Sequence, residues 1–139
     1  AAAHGLPLTF HTRSIAGTFA DIPNASTTVV LDMMTSHFLN SQERTQLKTE
    51  LLRVLKPGGY LFMKTFVSDE DLHTKRLLEE RPGPEPGTYI HPVIGVPEYV
   101  YDAEELEGFL GEKFVIHKTY LSHKHKSKGK SIRKRRFYG

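Results

Sequence analysis

The 139-residue chain has no cysteine and no apolar run long enough to cross a bilayer. Without cysteine it has neither a disulfide framework nor a thiol nucleophile. Since the first residues lack the long apolar region of a secretory signal peptide, we expect no secretion, no membrane contact and a cytoplasmic location. The length predicts a single domain over residues 1–139.

Positive charge is scarce in most of the chain and concentrated at its carboxyl end. Residues 123–139 hold eight of the 19 lysines and arginines and none of the 16 acids, so the first 122 residues have a formal balance of −5. Two interpretations of this basic tail or terminal hairpin remain open. The cations from Lys124 to Arg136 bind nucleic acid by neutralising phosphates, or they are the solvated face of an edge strand.

A helix, a turn and a strand are encoded around Arg53–Tyr60. Asn40 and Glu43 have the spacing of a capping box, which predicts the start of the helix. Pro57 ends the helix, and the two following glycines permit a tight reversal. A strand is predicted from Tyr60 to Phe66. The inner face of the helix is formed by apolar residues at helical spacing, namely Leu47, Leu51, Val54 and Leu55.

The rest of the chain continues the alternation of strands and helices, with a long and potentially functional loop from Arg81 to Tyr101. This alternation predicts an α/β sheet that is mostly parallel and closes with an antiparallel hairpin. Strands are predicted at Leu8–Ile15, Thr27–Leu31, Phe114–Ser122 and Ile132–Tyr138. Helices are predicted from Asp69 to Glu80, capped by Ser68, and after a capping box formed by Asp102 and Glu105.

The segment Leu31–Leu39 (LDMMTSHFL) and the Leu-Lys-Pro-Gly-Gly turn that follows it resemble the late half of the class I S-adenosylmethionine-dependent methyltransferases. Lys64-Thr-Phe, the loop Thr88–Pro92 and the helix at Asp102 resemble a bacterial subgroup of that family. The resemblance implies a Rossmann-like sheet with a reversed last strand. Leu8–Ile15, Thr27–Asp32 and Tyr60–Phe66 would be its third, fourth and fifth strands, and the closing hairpin its sixth and seventh.

Two features of that family are missing, so the sheet is expected to be incomplete. The Gly-x-Gly turn that cradles the cofactor's methionine moiety has no counterpart, because Gly5 and Gly17 are isolated and Gly58-Gly59 follows a helix instead of preceding one. The acidic residue that binds the ribose hydroxyls is also absent. The chain is then a part of a longer enzyme or a degenerate relative. We expect that it cannot form a complete cofactor pocket alone and that its open strand edges favour self-association.

Five residues match family positions that contact S-adenosylmethionine: Ser14, Ile15, Asp32, Met33 and Met34. Methionine side chains suit the flat face of adenine or the sulfonium region. The alternatives are that the first two are ordinary strand-end residues, that the methionines belong to the core and that Asp32 caps the next turn.

The methyl acceptor, whose identity is open, is expected to contact His37, Tyr89 and His91. His91 is a candidate general base, although a lone loop histidine is more often structural. Lys64 is a second catalytic candidate. Paired with Asp32 it resembles the 2′-O-ribose RNA methyltransferases, and otherwise it is a strand-end lysine that reaches solvent. Only His123 and His125 share alternate spacing, and two ligands are too few for tetrahedral zinc, so no metal is expected.

The resemblance implies methyl transfer from S-adenosylmethionine to an unknown acceptor, as part of a longer chain. The alternative function is that of a non-catalytic module, derived from a methyltransferase, that binds nucleic acid through its basic tail.

Overall fold

From Thr27 to Leu121 the order of helices and strands agrees with the prediction, except that the predicted loop from Arg81 to Tyr101 contains two short strands. The structure, a computed structural model, describes residues 5, 7–68, 72–121, 125–126, 132–133 and 136–138. Within these residues the helices are α1 (Ser41–Val54), α2 (Leu72–Glu80) and α3 (Ala103–Gly111), with a 3-10 turn at Ser36–Phe38. The strands are β1 (Thr27–Met33), β2 (Leu55–Thr65), β3 (Thr88–Ile90), β4 (Pro97–Tyr99), β5 (Thr119–Leu121), β6 (His125–Lys126), β7 (Ile132–Arg133) and β8 (Arg136–Tyr138).

Four strands form the main sheet, in the order β1-β2-β8-β5. β1 and β2 are parallel, and β8 is antiparallel to both β2 and β5, so β1, β2 and β5 share one direction. The predicted α/β class and the antiparallel carboxyl-terminal pair are confirmed. The one reversed strand, β8, lies between β2 and β5, which run in the same direction. Two further antiparallel pairs, β3–β4 and β6–β7, lie outside this sheet.

The strand predicted at Leu8–Ile15 is wrong. Residues 7–14 have no regular secondary structure, and the Phe10 side chain is 82% exposed. A strand needs a neighbour that pairs with its backbone N–H and C=O groups. Among the described residues, nothing adds to the sheet beyond the outer edge of β1. Although the residues of this segment alternate as in a strand, no described strand is available to pair with it.

The loop before β1 is held by the last turns of α1. The Arg53 guanidinium donates to the carbonyl oxygens of Phe19 and Ile22 at 2.9 Å and to Asn24 Oδ1 at 2.7 Å. Glu50 Oε2 accepts from the Phe19 backbone N–H at 2.9 Å and from Arg53 at 2.8 Å. The hydrogen bonds from Arg53 lower the pKa of Glu50. Residues 19–24 are thus fixed by a charged pair on the helix instead of by sheet pairing.

Both predicted capping boxes are confirmed. At the start of α1, Asn40 Oδ1 accepts from the Glu43 N–H and Glu43 Oε2 accepts from the Asn40 N–H, each at 2.9 Å. Asp102 and Glu105 form the same reciprocal pair at the start of α3. The predicted start of the preceding helix at Asp69 lies outside the described residues.

The Pro-Gly-Gly segment is a bulge inside the β1–β2 ladder. Thr27 pairs with Leu55, but Val29 pairs with Tyr60, so residues 56–59 loop out between the two registers. Gly58 adopts φ +76, a left-handed conformation that favours glycine. β2 therefore begins at Leu55, earlier than the predicted Tyr60, and returns to the regular ladder after the bulge.

One face of the sheet is covered and the other is open. On the covered face, Met63 packs with Leu106 and Leu110 of α3 and with two buried tyrosines, Tyr99 and Tyr101. The side chains of the open face are apolar but 44–64% exposed, and they are Val29, Leu31, Met33, Tyr60 and Phe62. Among the described residues, no helix is long and apolar enough to span a membrane.

Candidate functional site

A cleft of about 340 Å³ opens where β1 and β2 end. Because the two strands are parallel, their carboxyl ends lie at the same edge of the sheet, where open α/β folds place their ligands. One wall is the loop after β1, a second is α2 and a third is the β3–β4 hairpin. The residues that line the cleft are Met34, His37, Phe38, Phe66, His73, Thr74, Leu77, Tyr89, His91, Pro92 and Glu98.

Three polar side chains meet in the buried part of this cleft. Tyr89 and Glu98 are directly opposite each other in the β3–β4 ladder, and the Tyr89 hydroxyl donates a hydrogen bond to Glu98 Oε2. His37 Nε2 lies 3.9 Å from Glu98 Oε1. All three residues are buried. The hairpin register therefore aligns a phenol, a carboxylate and an imidazole at the end of the sheet.

His37 is positioned by the 3-10 turn that follows β1. Asp32 Oδ1 accepts from the Thr35 N–H at 3.1 Å and from the Ser36 N–H at 3.2 Å, which fixes the start of this turn. The His37 ring then packs edge-on against Phe66, with centroids 5.6 Å apart. Asp32 thus caps the next turn, as one of its two sequence interpretations proposed.

Met34 leaves β1 in a left-handed conformation, with φ +65. Its N–H donates to the Lys64 carbonyl oxygen at 3.0 Å, which extends the β1–β2 ladder by one hydrogen bond. A non-glycine residue at such a φ stores on the order of 1–3 kcal/mol of strain, and such residues concentrate at functional sites. The reversal places Met34 on the cleft, whereas Met33 lies on the open face of the sheet.

His91 is held in the turn after β3. Its Nδ1 accepts hydrogen bonds from the backbone N–H groups of Val93 and Ile94, both at 3.2 Å. An Nδ1 that accepts assigns the proton of the neutral imidazole to Nε2. In this state both ring nitrogens are accounted for, one by the turn and one by its proton, and the role of His91 as a general base stays a prediction.

The nine predicted site residues are only partly brought together. Met34, His37, Tyr89 and His91 line the cleft. The five that do not are Ser14, Ile15, Asp32, Met33 and Lys64. Ser14 Oγ accepts from the Ala16 N–H at 3.1 Å, and Lys64 lies opposite Met33 in the ladder. The roles proposed for these residues stay predictions.

Glu98 is the functional candidate that sequence reasoning missed. It is the single charged residue in the otherwise apolar and aromatic run from Val96 to Tyr101. An acid in such a run is buried only with partners, and this signal was available in the sequence. Phe66, His73 and Thr74 were also missed, because their contribution depends on how α2 packs over the end of β2.

Arg44 of α1 contacts the β3–β4 hairpin through the Tyr99 ring. Its guanidinium lies 3.5 Å from the centroid of the Tyr99 ring, and its Nη1 donates to the Leu39 carbonyl oxygen at 2.6 Å. The Tyr99 hydroxyl donates to Glu105. Burial raises the pKa of both Tyr99 and Tyr101, so these phenols remain protonated and act as structural groups.

Two further predictions concern metal and nucleic acid. Within the described residues, no three histidine, aspartate or glutamate side chains are grouped to hold a metal.

Most of the basic tail lies outside the described residues, namely Lys124, Lys128, Lys130, Lys134 and Arg135. Of Lys126, Arg133 and Arg136 only the backbone is described. Nucleic-acid binding by the basic tail therefore stays a prediction.

Comparisons with known proteins agree on the fold. No protein-family model and no curated protein matches the chain. A solved SAM-dependent methyltransferase from Methanosarcina mazei matches 99% of this chain and 72% of its own, with a TM-score of 0.67 and 22% identity. The PH0226 protein from Pyrococcus horikoshii OT3 matches 99% of this chain and 61% of its own, with a TM-score of 0.66 and 18% identity. The chain therefore has a Rossmann-like fold shared with these two structures.

Proposed function

We propose that this chain carries the acceptor-binding side of a SAM-dependent methyltransferase. The observation that carries the proposal is the position of the cleft, at the carboxyl ends of two parallel strands in a sheet with a reversed last strand. The similarity to the M. mazei methyltransferase extends over 99% of the chain, so it includes every wall of the cleft.

The cleft is suited to hold and orient a small acceptor. Its aromatic and aliphatic side chains offer contacts to the apolar part of an acceptor, and Tyr89, Glu98 and His91 are fixed by hydrogen bonds within the hairpin and its connecting turn. The His91 Nε2–H and the Tyr89–Glu98 pair supply orienting contacts to polar groups of the acceptor. Orientation of this kind contributes a large part of the barrier reduction in transfer reactions.

The residues predicted to contact S-adenosylmethionine do not fit the cofactor by themselves. Asp32 Oδ1 accepts from its own turn, Ser14 Oγ accepts from the Ala16 N–H, and Met33 lies on the open face, so of the five predicted residues only Met34 lines the cleft. We propose that cofactor binding requires residues beyond these 139. The chain spans 72% and 61% of its two solved neighbours, which is consistent with that requirement.

The proposal is tested by titration calorimetry and a methyl-transfer assay. We expect no micromolar isotherm for S-adenosylmethionine with residues 1–139, and a single-site isotherm with the complete reading frame that contains them. In that complete protein, His37→Ala is expected to lower methyl transfer without changing cofactor affinity. The exposed His117, at the other end of β2, is the matched control. A complete protein that fails to bind the cofactor would refute the proposal.

A further inference from the structure

We propose that the cleft binds its ligand through a protonated amine, with the buried Glu98 carboxylate as the counter-charge. The inference rests on the proposed function only in taking the cleft to be the acceptor site. It names the chemical class of the ligand, a small molecule with an apolar or aromatic body and a terminal amine. It concerns binding and assigns no step of methyl transfer to the amine.

The Glu98 carboxylate is buried at the cleft. Only 4% of this residue is exposed, and a buried carboxylate is costly unless hydrogen bonds and opposite charge compensate it. Its Oε2 accepts from the Tyr89 hydroxyl. Its Oε1 lies 3.9 Å from His37 Nε2, which is too long for a hydrogen bond. Oε1 therefore retains capacity for a donor from the ligand.

The charged side chains of the lining favour a cationic ligand. Among the described residues that line the cleft, no lysine or arginine is present, and Glu98 is the only carboxylate. The others are apolar, hydroxyl-bearing or imidazole side chains. A concave site with one carboxylate and no lysine or arginine attracts a cation and disfavours phosphate or carboxylate ligands.

The remaining walls of the cleft suit a small ligand with an apolar or aromatic body. Phe38, Phe66 and Tyr89 present aromatic rings, and Met34 and Leu77 add apolar surface. Aromatic faces attract ammonium groups as well as apolar bodies. The volume of about 340 Å³ is at the lower end of the range for small-molecule sites. A polymer backbone of phosphates matches neither this size nor this charge.

A competing interpretation is that His37 is itself the cation that compensates Glu98. The pair would then be a closed structural ion pair, and the cleft would have no preference for a charged ligand. The two interpretations differ in what they predict for ligands of equal shape and different charge.

The first test uses the unmodified chain and three probes that share a phenyl ring: phenethylamine, 2-phenylethanol and phenylacetate. Affinities are measured by NMR titration at neutral pH and constant ionic strength. We expect the amine to bind about tenfold or more tightly than the alcohol, and the carboxylate to bind most weakly. The inference is overturned if the alcohol or the carboxylate binds as tightly as the amine, or if the amine does not bind.

The second test uses Glu98→Gln, which keeps an oxygen for the Tyr89 hydroxyl and removes the charge. We expect phenethylamine to lose about tenfold in affinity, while 2-phenylethanol changes by less than about twofold. Glu79→Gln on the exposed side of α2 makes the same charge change outside the cleft and is expected to have no effect. If Glu98→Gln does not fold, the comparison of the three probes on the unmodified chain decides alone.

The outcomes separate this inference from the proposed function. A Glu98-dependent preference for the amine in a complete protein that transfers no methyl group would support the inference and refute the function. Methyl transfer to acceptors that lack an amine, with no effect of Glu98→Gln, would support the function and refute the inference.

Discussion

Replacing Gly59 with alanine is expected to weaken the β1–β2 ladder at the bulge. A Cβ at this position would lie 2.9 Å from the Lys56 carbonyl oxygen and 3.1 Å from the Thr28 carbonyl oxygen. Both are backbone atoms, one in the bulge and one in β1, so neither can rotate away. A third contact, 3.1 Å from Leu55 Cδ2, is with a side chain that can adjust.

The magnitude follows from which atoms must move. Adding one methyl group where backbone has to shift costs about 1–3 kcal/mol, and we expect about 2 kcal/mol here because two carbonyl oxygens are involved. Gly58 provides the comparison, because a Cβ there would meet nothing within 4 Å but its φ is +76. Alanine at Gly58 is therefore expected to cost about 1 kcal/mol through its left-handed conformation alone.

Asparagine substitutions separate the steric clash at Gly59 from the backbone strain at Gly58. It tolerates the left-handed region, so Gly58→Asn is expected to be milder than Gly58→Ala, whereas Gly59→Asn is expected to be at least as harmful as Gly59→Ala. The assay is urea unfolding followed by far-UV circular dichroism, because the chain has no tryptophan for fluorescence. If Gly59→Ala unfolds with the same urea midpoint and slope as the unmodified chain, the predicted clash with the Lys56 and Thr28 carbonyl oxygens is refuted.

Four further outcomes are expected. Tyr89→Phe should lower the free energy of unfolding by about 1.5–3 kcal/mol in urea, because it removes a hydrogen bond to a buried carboxylate. Arg13 lowers the pKa of Asp21 to about 2, below its value in the unfolded chain, so their pair stabilises at neutral pH. That contribution should disappear in acid titrations as the pH falls from about 4 towards 2. Leu31→Lys should reduce self-association in sedimentation experiments without changing the unfolding midpoint, since 64% of Leu31 is exposed. If residues 123–139 bind nucleic acid, affinity for an oligonucleotide should fall steeply from low to physiological salt.

Each of these outcomes has a matched control or a result that would contradict it. Tyr60→Phe removes an exposed residue's hydroxyl and should leave stability unchanged. Asp21→Asn should reduce the loss of unfolding free energy between about pH 4 and pH 2. An unchanged pH dependence would argue against the pair with Arg13. Leu52→Lys alters an exposed leucine on α1, outside the open face, and should not affect self-association. Oligonucleotide binding that survives deletion of residues 123–139 would contradict the role of the tail.

The parts of the fold that depend on local hydrogen bonds could be predicted from the sequence. The capping boxes at Asn40 and Asp102 determine where α1 and α3 begin, and both are formed between residues three positions apart. The wrong prediction at Leu8–Ile15 depended on a non-local interaction. Its alternating residues suit a strand, but a strand forms only when a second strand pairs with it. The residue pattern contains no information on whether a neighbouring strand is present.

The candidate site was predictable in its parts but not in its assembly. His37, Tyr89 and His91 could be chosen because they follow strands or lie in a long loop. Their convergence depends on the β3–β4 hairpin, whose three-residue strands have too little pattern to be recognised. The hairpin register places Glu98 opposite Tyr89, and Tyr99 of the same hairpin contacts Arg44 of α1, a pairing between distant segments that the sequence does not reveal.

The walls of the cleft come from segments that are far apart in the chain, around residues 34–38, 73–77 and 89–98. A ligand that contacts all three segments couples the unfolding of the hairpin and of α2 to the unfolding of the sheet. By thermodynamic linkage, a ligand at one hundred times its dissociation constant would add about 2.7 kcal/mol to the free energy of unfolding. In a domain of this size that corresponds to a rise in melting temperature of several degrees. Heat denaturation therefore reports occupancy of the cleft directly, and a panel of small amines can be ranked by it before any acceptor is identified.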